Sequence, residues 1–132
     1  MSRRYGIDCS VLVRLATGDP EEEYERCLGR LESMVLDDGA EIFVSNQVLG
    51  ESYIALQHHY GVTKVQARAA LISVLRSGLV APLNGPSVLE ALDSRAGCGL
   101  LDRLIANDYE KFGLTTLSLD RKVSSLPGVQ GL

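Results

Sequence analysis

Short β-rich runs alternate with longer amphipathic stretches along this chain, and that alternation limits the fold more than any other feature. Arg4-Tyr5-Gly6-Ile7-Asp8 reads as a first strand, and Ser10-Val11-Leu12-Val13-Arg14-Leu15 follows at once with helical spacing, apolar at 11, 12 and 15. Pro20 with Glu21-Glu22-Glu23 predicts a second helix, since proline suits a first turn and negative charge there complements the macrodipole. Its stripe of Cys27, Leu28, Leu31, Met34 and Val35 ends before Gly39. Glu41-Ile42-Phe43-Val44 predicts a strand, and Ser45-Asn46 a cap for a helix running to Tyr60-Gly61. Further helices are expected over 63–75, from Pro86-Ser87 to about Arg95, and over 101–112, with strands at 79–83 and 114–119. Parallel neighbours need crossover connections, which helices supply, so the order predicts an α/β sandwich with a mainly parallel sheet.

At 132 residues the chain suits one domain over 1–132, and 45% apolar content supplies a core. No apolar stretch approaches the ~20 residues that span a bilayer, and Met1-Ser2-Arg3-Arg4 leads into no signal-peptide run. A membrane protein is therefore not expected. Cys9, Cys27 and Cys98 are odd in number and form no Cys-x-x-Cys pair, which suggests a reducing, cytoplasmic setting. Thirteen basic against 17 acidic residues argue against gripping nucleic acid by bulk charge. A polyanionic ligand would need a local site, and a metal is the natural means.

In open α/β sheets ligands gather beyond the carboxyl ends of the strands. Asp8 follows the first strand and Asp120 the last, so both are expected at one edge; either alone is equally well read as a helix N-cap. Glu51 has Val48, Ile54 and Ala55 as helical neighbours, which sets a carboxylate inside an apolar stripe unless the helix is rotated or a salt bridge holds it. Asp102 stands near a helix start beside Leu101, Ile105 and Ala106, where dipole stabilisation is the plain alternative. These four acids equal the formal net charge of −4. If they converge, their repulsion calls for a hard cation such as Mg²⁺ or Mn²⁺.

Asp8-Cys9-Ser10-Val11-Leu12-Val13-Arg14 resembles the Asp-x-Ser/Asn-x-Leu opening of PIN-domain ribonucleases, and Val48-Leu49-Gly50-Glu51 resembles their acidic central helix. Leu101-Asp102-Arg103-Leu104-Ile105-Ala106 is similar to the family's Asp-x-x-Ile-Ala helix. Thr116-Leu117-Ser118-Leu119-Asp120-Arg121-Lys122, followed by Leu126-Pro127-Gly128-Val129, is similar to its closing strand and aspartate. The order and spacing resemble a VapC-type toxin of a toxin–antitoxin pair. Ser118 stands where Thr is commoner, Val123 where an aromatic is common, and Gly99 where some members carry a further acid, so the ion count stays open between one and two.

The resemblance implies a three-layer α/β/α sandwich with a short, mainly parallel central sheet, and hydrolysis of RNA by metal-activated water. It implies Asp8, Asp102 and Asp120 as Mg²⁺ or Mn²⁺ ligands, Glu51 as ligand and base for the water, and Ser10 bonded to the first carboxylate or a water. It also implies a homodimer, a cognate antitoxin partner, and operator DNA reached only through that antitoxin. Arg14, Arg103, Arg121 and Lys122 lie beside the motifs, as phosphate contacts or as solvated charge. The faces of 63–75 and of Cys27 to Val35 serve either the core or an amphipathic partner peptide. His58-His59 fits a helix end, and no dinucleotide or phosphate loop is present. The competing reading is a PIN-like scaffold that binds RNA or protein without turnover, its acids only capping helices.

Overall fold

The computed structural model describes residues 3–132. Met1 and Ser2, part of the segment read for a leader, lie outside the described residues. Five strands and seven helices are found among these residues: β1 (Arg4–Gly6), α1 (Cys9–Thr17), α2 (Glu21–Leu36), β2 (Glu41–Val44), α3 (Asn46–Tyr60), α4 (Lys64–Arg76), β3 (Ala81–Pro82), α5 (Ser87–Asp93), α6 (Leu100–Lys111), β4 (Thr116–Ser118), α7 (Arg121–Ser124) and β5 (Val129–Gly131). Every strand pair is parallel, and the whole is an α/β/α arrangement of short parallel sheets among helices.

Hydrogen bonding divides the strands into two ladders, β1-β2-β3 and β4-β5, where one central sheet was expected. The strands are also shorter than the β-rich runs. Pro82 has no N–H to donate, so β3 pairs through only two residues, although Leu83 N–H still donates to Val44 O at 2.8 Å. Thr116 pairs with Val129, so β4 takes its partner from the chain's last residues.

Helix ends follow local chemistry. Thr63 accepts from Gln66 N while the Gln66 side chain accepts from Thr63 N, a reciprocal cap at the start of α4. Gly18 and Gly61 end α1 and α3 in the left-handed region that glycine enters at no steric cost. Ser45 alone caps α3, accepting from Val48 N at 3.2 Å; Asn46 is turned inward and is only 4% exposed.

The core joins Leu12 of α1, Ile42 and Val44 of β2, Leu49 and Leu56 of α3, and Leu71 and Leu75 of α4 to Val88, Leu92, Leu100 and Leu104. The inner face of α4 is therefore core, not a free peptide groove. α2 contributes no fully buried residue and packs along α1 at the surface. Arg68, 7% exposed, donates from Nη1 to the carbonyls of Ala91, Leu92 and Ser94 and lies over the Tyr53 ring, capping the end of α5 with a fixed charge.

Candidate active site

Asp8 caps α1. Its Oδ1 accepts from Ser10 N at 3.0 Å, from Val11 N at 3.3 Å and from Ser10 Oγ at 2.5 Å. Donors aimed at the ionised form hold this exposed carboxyl below the ordinary Asp value, the Ser10 hydroxyl foremost and the backbone of Val11 next. Asp120 caps α7 in the same manner, its Oδ1 accepting from Lys122 N at 2.8 Å and Val123 N at 3.2 Å, while Ser118 Oγ accepts from Asp120 N. In both aspartates the second oxygen carries no hydrogen bond among the described residues, so capping consumes half of each carboxylate. The cap reading and the ligand reading are compatible.

Glu51 is exposed, which corrects its expected place inside the apolar stripe. The buried face of α3 is Leu49, Ser52, Tyr53 and Leu56, with Ser52 wholly enclosed and Ile54 40% exposed. A buried serine and an outward isoleucine rotate the stripe away from its hydropathy reading. Glu51 Oε1 accepts from Gln47 Nε2 at 3.2 Å, one turn earlier. Asp102 is half-buried in the first turn of α6 and its side chain makes no hydrogen bond or ion pair among the described residues; Leu101 and Ile105 are partly exposed along the groove between α3 and α6.

Contacts of immediate neighbours tie the backbone beside Glu51 to the backbone beside Asp8 and to that beside Asp102, without joining the carboxylates themselves. Ser52, next to Glu51, donates its hydroxyl to Cys9 Sγ, next to Asp8, at 3.3 Å. Gly50, on the other side of Glu51, backs onto Leu101, next to Asp102, so closely that a Cβ there would stand 2.8 Å from Leu101 Cδ2. The first turn of α1 and the first turn of α6 thus each touch the second turn of α3. The hydrogen bonds of Asp120 all stay within 118–124, and β1 and β4 share no ladder, so the expected common strand edge for Asp8 and Asp120 is not formed. Its tie to the rest runs through β4, which packs on α6.

Among the described residues no three His, Cys, Asp or Glu side chains form a group able to enclose a metal ion. The donors are nevertheless hard carboxylate oxygens with unused lone pairs. Mg²⁺ keeps much of its water and is commonly held by only one or two carboxylates, so this donor chemistry fits such an ion without a closed cage.

Other polar groups escaped the sequence reading. Asn46 Nδ2 donates to Leu104 O at 3.0 Å and Asn107 Oδ1 at 2.8 Å, fixing α3 against α6; Asn84 joins from the loop after β3 through Asn107 and Asp108. An amide beside a capping serine carries no signal that it will turn inward. Asn46, Gln47, Glu51 and Asp108 line a groove of about 400 Å³ between α3 and α6. Arg14 is engaged by Glu23 at 2.9 Å and by Asp19 O, and Arg103 by the carbonyls of Ala96 and Cys98, so both serve the fold. Arg121 and Lys122 stay exposed beside Asp120.

The four acids thus stand at the amino ends of α1, α6 and α7 and on the exposed side of α3 in an α/β/α fold. The PIN domain model matches residues 5–129, and the chain belongs to the PIN domain family, whose members are generally nucleases. No curated protein matches the chain as a relative.

Proposed function

We propose that the chain is a metal-dependent endoribonuclease, the VapC-type toxin of a toxin–antitoxin pair. One observation supports this reading: Asp8 and Asp120, both within the stretch matched by the PIN domain, each cap a helix through one carboxylate oxygen and leave the other unengaged. Asp8, Asp102 and Asp120 would hold Mg²⁺ or Mn²⁺, with Glu51 beside them. When bound, the ion supplies an acidified water and positive charge toward the phosphate. Ser10 and the amides of Ser10 and Val11 keep Asp8 ionised and fixed. Gln47 steadies Glu51, which takes the proton of the attacking water. The exposed Arg121 and Lys122 neutralise RNA phosphates near Asp120.

The toxin reading adds a homodimer, a cognate antitoxin that alone contacts operator DNA, and action in a reducing cytoplasm. The half-covered stripe of α2 supports a peptide partner: Leu28, Val35 and Leu36 line a furrow of about 210 Å³ with Leu79, and Leu36 is largely exposed. A short upstream gene for a DNA-binding protein is the genomic expectation.

The experiment is cleavage of structured RNAs with Mg²⁺, Mn²⁺ or EDTA. Products are expected with metal, none in EDTA, and none from Asp8→Asn. The lack of an enclosed three-acid group favours a second reading, a scaffold that binds RNA or protein without turnover. Metal-independent binding with no product from any RNA selects that scaffold.

A further inference from the structure

In the β1-β2-β3 ladder Gly6 stands opposite Phe43, and Phe43 opposite Ala81, so Arg4, Gly6, Phe43 and Ala81 share one face. Tyr5 and Ile42 look to the core from the other. The shared face is open: Arg4, Gly6 and Ala81 are exposed, and a Cβ added at Gly6 would meet nothing within 4 Å. The Arg4 guanidinium lies 5.0 Å from the Phe43 ring centroid. The Arg4 side chain makes no hydrogen bond or ion pair among the described residues. Ile7 and Ser45 close the end of this groove, which holds about 320 Å³, and Asp8 follows Ile7, two residues past the end of β1.

We infer that this face seats one base of a single-stranded RNA as the strand enters the candidate active site. The inference rests on the proposed RNA substrate. Unpaired bases stack on aromatic rings and on guanidinium planes, and here the two are already layered, with a positive charge for the adjoining phosphate. A glycine inside a strand weakens the sheet and marks a close approach, and Gly6 leaves the space beside that stack empty. Position supplies direction: a base over Arg4 and Phe43 sets the next phosphate toward Asp8.

The test is binding of a fluorescent single-stranded octaribonucleotide in EDTA, where nothing is cut, by wild type, Gly6→Val and Phe43→Leu, each checked by thermal melting. Gly6→Val adds bulk into open space and keeps the fold. Both variants are expected to raise Kd about tenfold. An abasic spacer at one position should weaken wild type equally and leave the variants unaffected, because the base has already lost its seat. Unchanged affinity, or an abasic penalty that persists in both variants, overturns the inference. So does a shift in sedimentation that tracks the RNA loss, which would make the face a contact between copies. Cleavage in Mg²⁺ is read separately. Base coupling without cleavage supports the seat and removes the nuclease reading; cleavage without base coupling removes the seat alone.

Discussion

Ser10 and Asn46 show how single side chains position the candidate site. The Ser10 hydroxyl is the chief cause of the lowered Asp8 pKa, so Ser10→Ala should move that pKa up toward its ordinary value, as read by NMR titration of the carboxyl carbon. A group with a depressed folded pKa contributes stability above its unfolded value and loses it as pH falls through the folded one. The variant should therefore be less stable than wild type at neutrality, and the difference should close as pH falls through the folded Asp8 pKa. An unmoved titration would separate Ser10 from Asp8. Asn46→Ala should cost about 1–3 kcal/mol in chemical denaturation, since it leaves Leu104 O and Asn107 without their buried donor. At this scale the sequence revealed the acids and not their surroundings. Asp8 and Asp120 were legible because an acid between a strand and a helix has few roles. Asn46 was not, because burial of an amide depends on α6, 58 residues away.

Among the elements, α3 and α6 approach closely because Gly50 carries no side chain. A mid-helix glycine costs roughly 0.5–1 kcal/mol relative to alanine, a cost that close packing offsets. Gly50→Leu should separate the helices and destabilise by about 1–3 kcal/mol in thermal or urea unfolding. Full stability in that variant would contradict the packing account. Arg68→Ala should cost about 3 kcal/mol by leaving the α5 carbonyls uncapped, and Arg68→Lys should recover only part, because an ammonium lacks the planar guanidinium that lies over the Tyr53 ring. The alternation of helices and strands was readable because α2, α3, α4 and α6 each carry several turns of pattern. α7 and β5, four and three residues long, are too short to show a period. The orientation of α3 was misjudged because Ser52 is enclosed by Cys9, a contact that hydropathy does not encode.

For the whole molecule, two separate parallel ladders are linked by helices, and Asp120 is joined to the rest through β4 and α6 rather than through a common sheet edge. No helix among the described residues is long and apolar enough to cross a membrane. The PIN family was visible in four motifs in register, each weak alone, and the match over residues 5–129 agrees with them. The ladder division and the open Phe43 face were not visible, since both depend on which strands finally pair.

Mn²⁺ binding followed by electron paramagnetic resonance tests the central claim most directly. Wild type should hold Mn²⁺ stoichiometrically, and Asp8→Asn, Asp102→Asn and Asp120→Asn should each weaken it by about tenfold or more while remaining folded. Three variants that take up Mn²⁺ as wild type does would contradict the account.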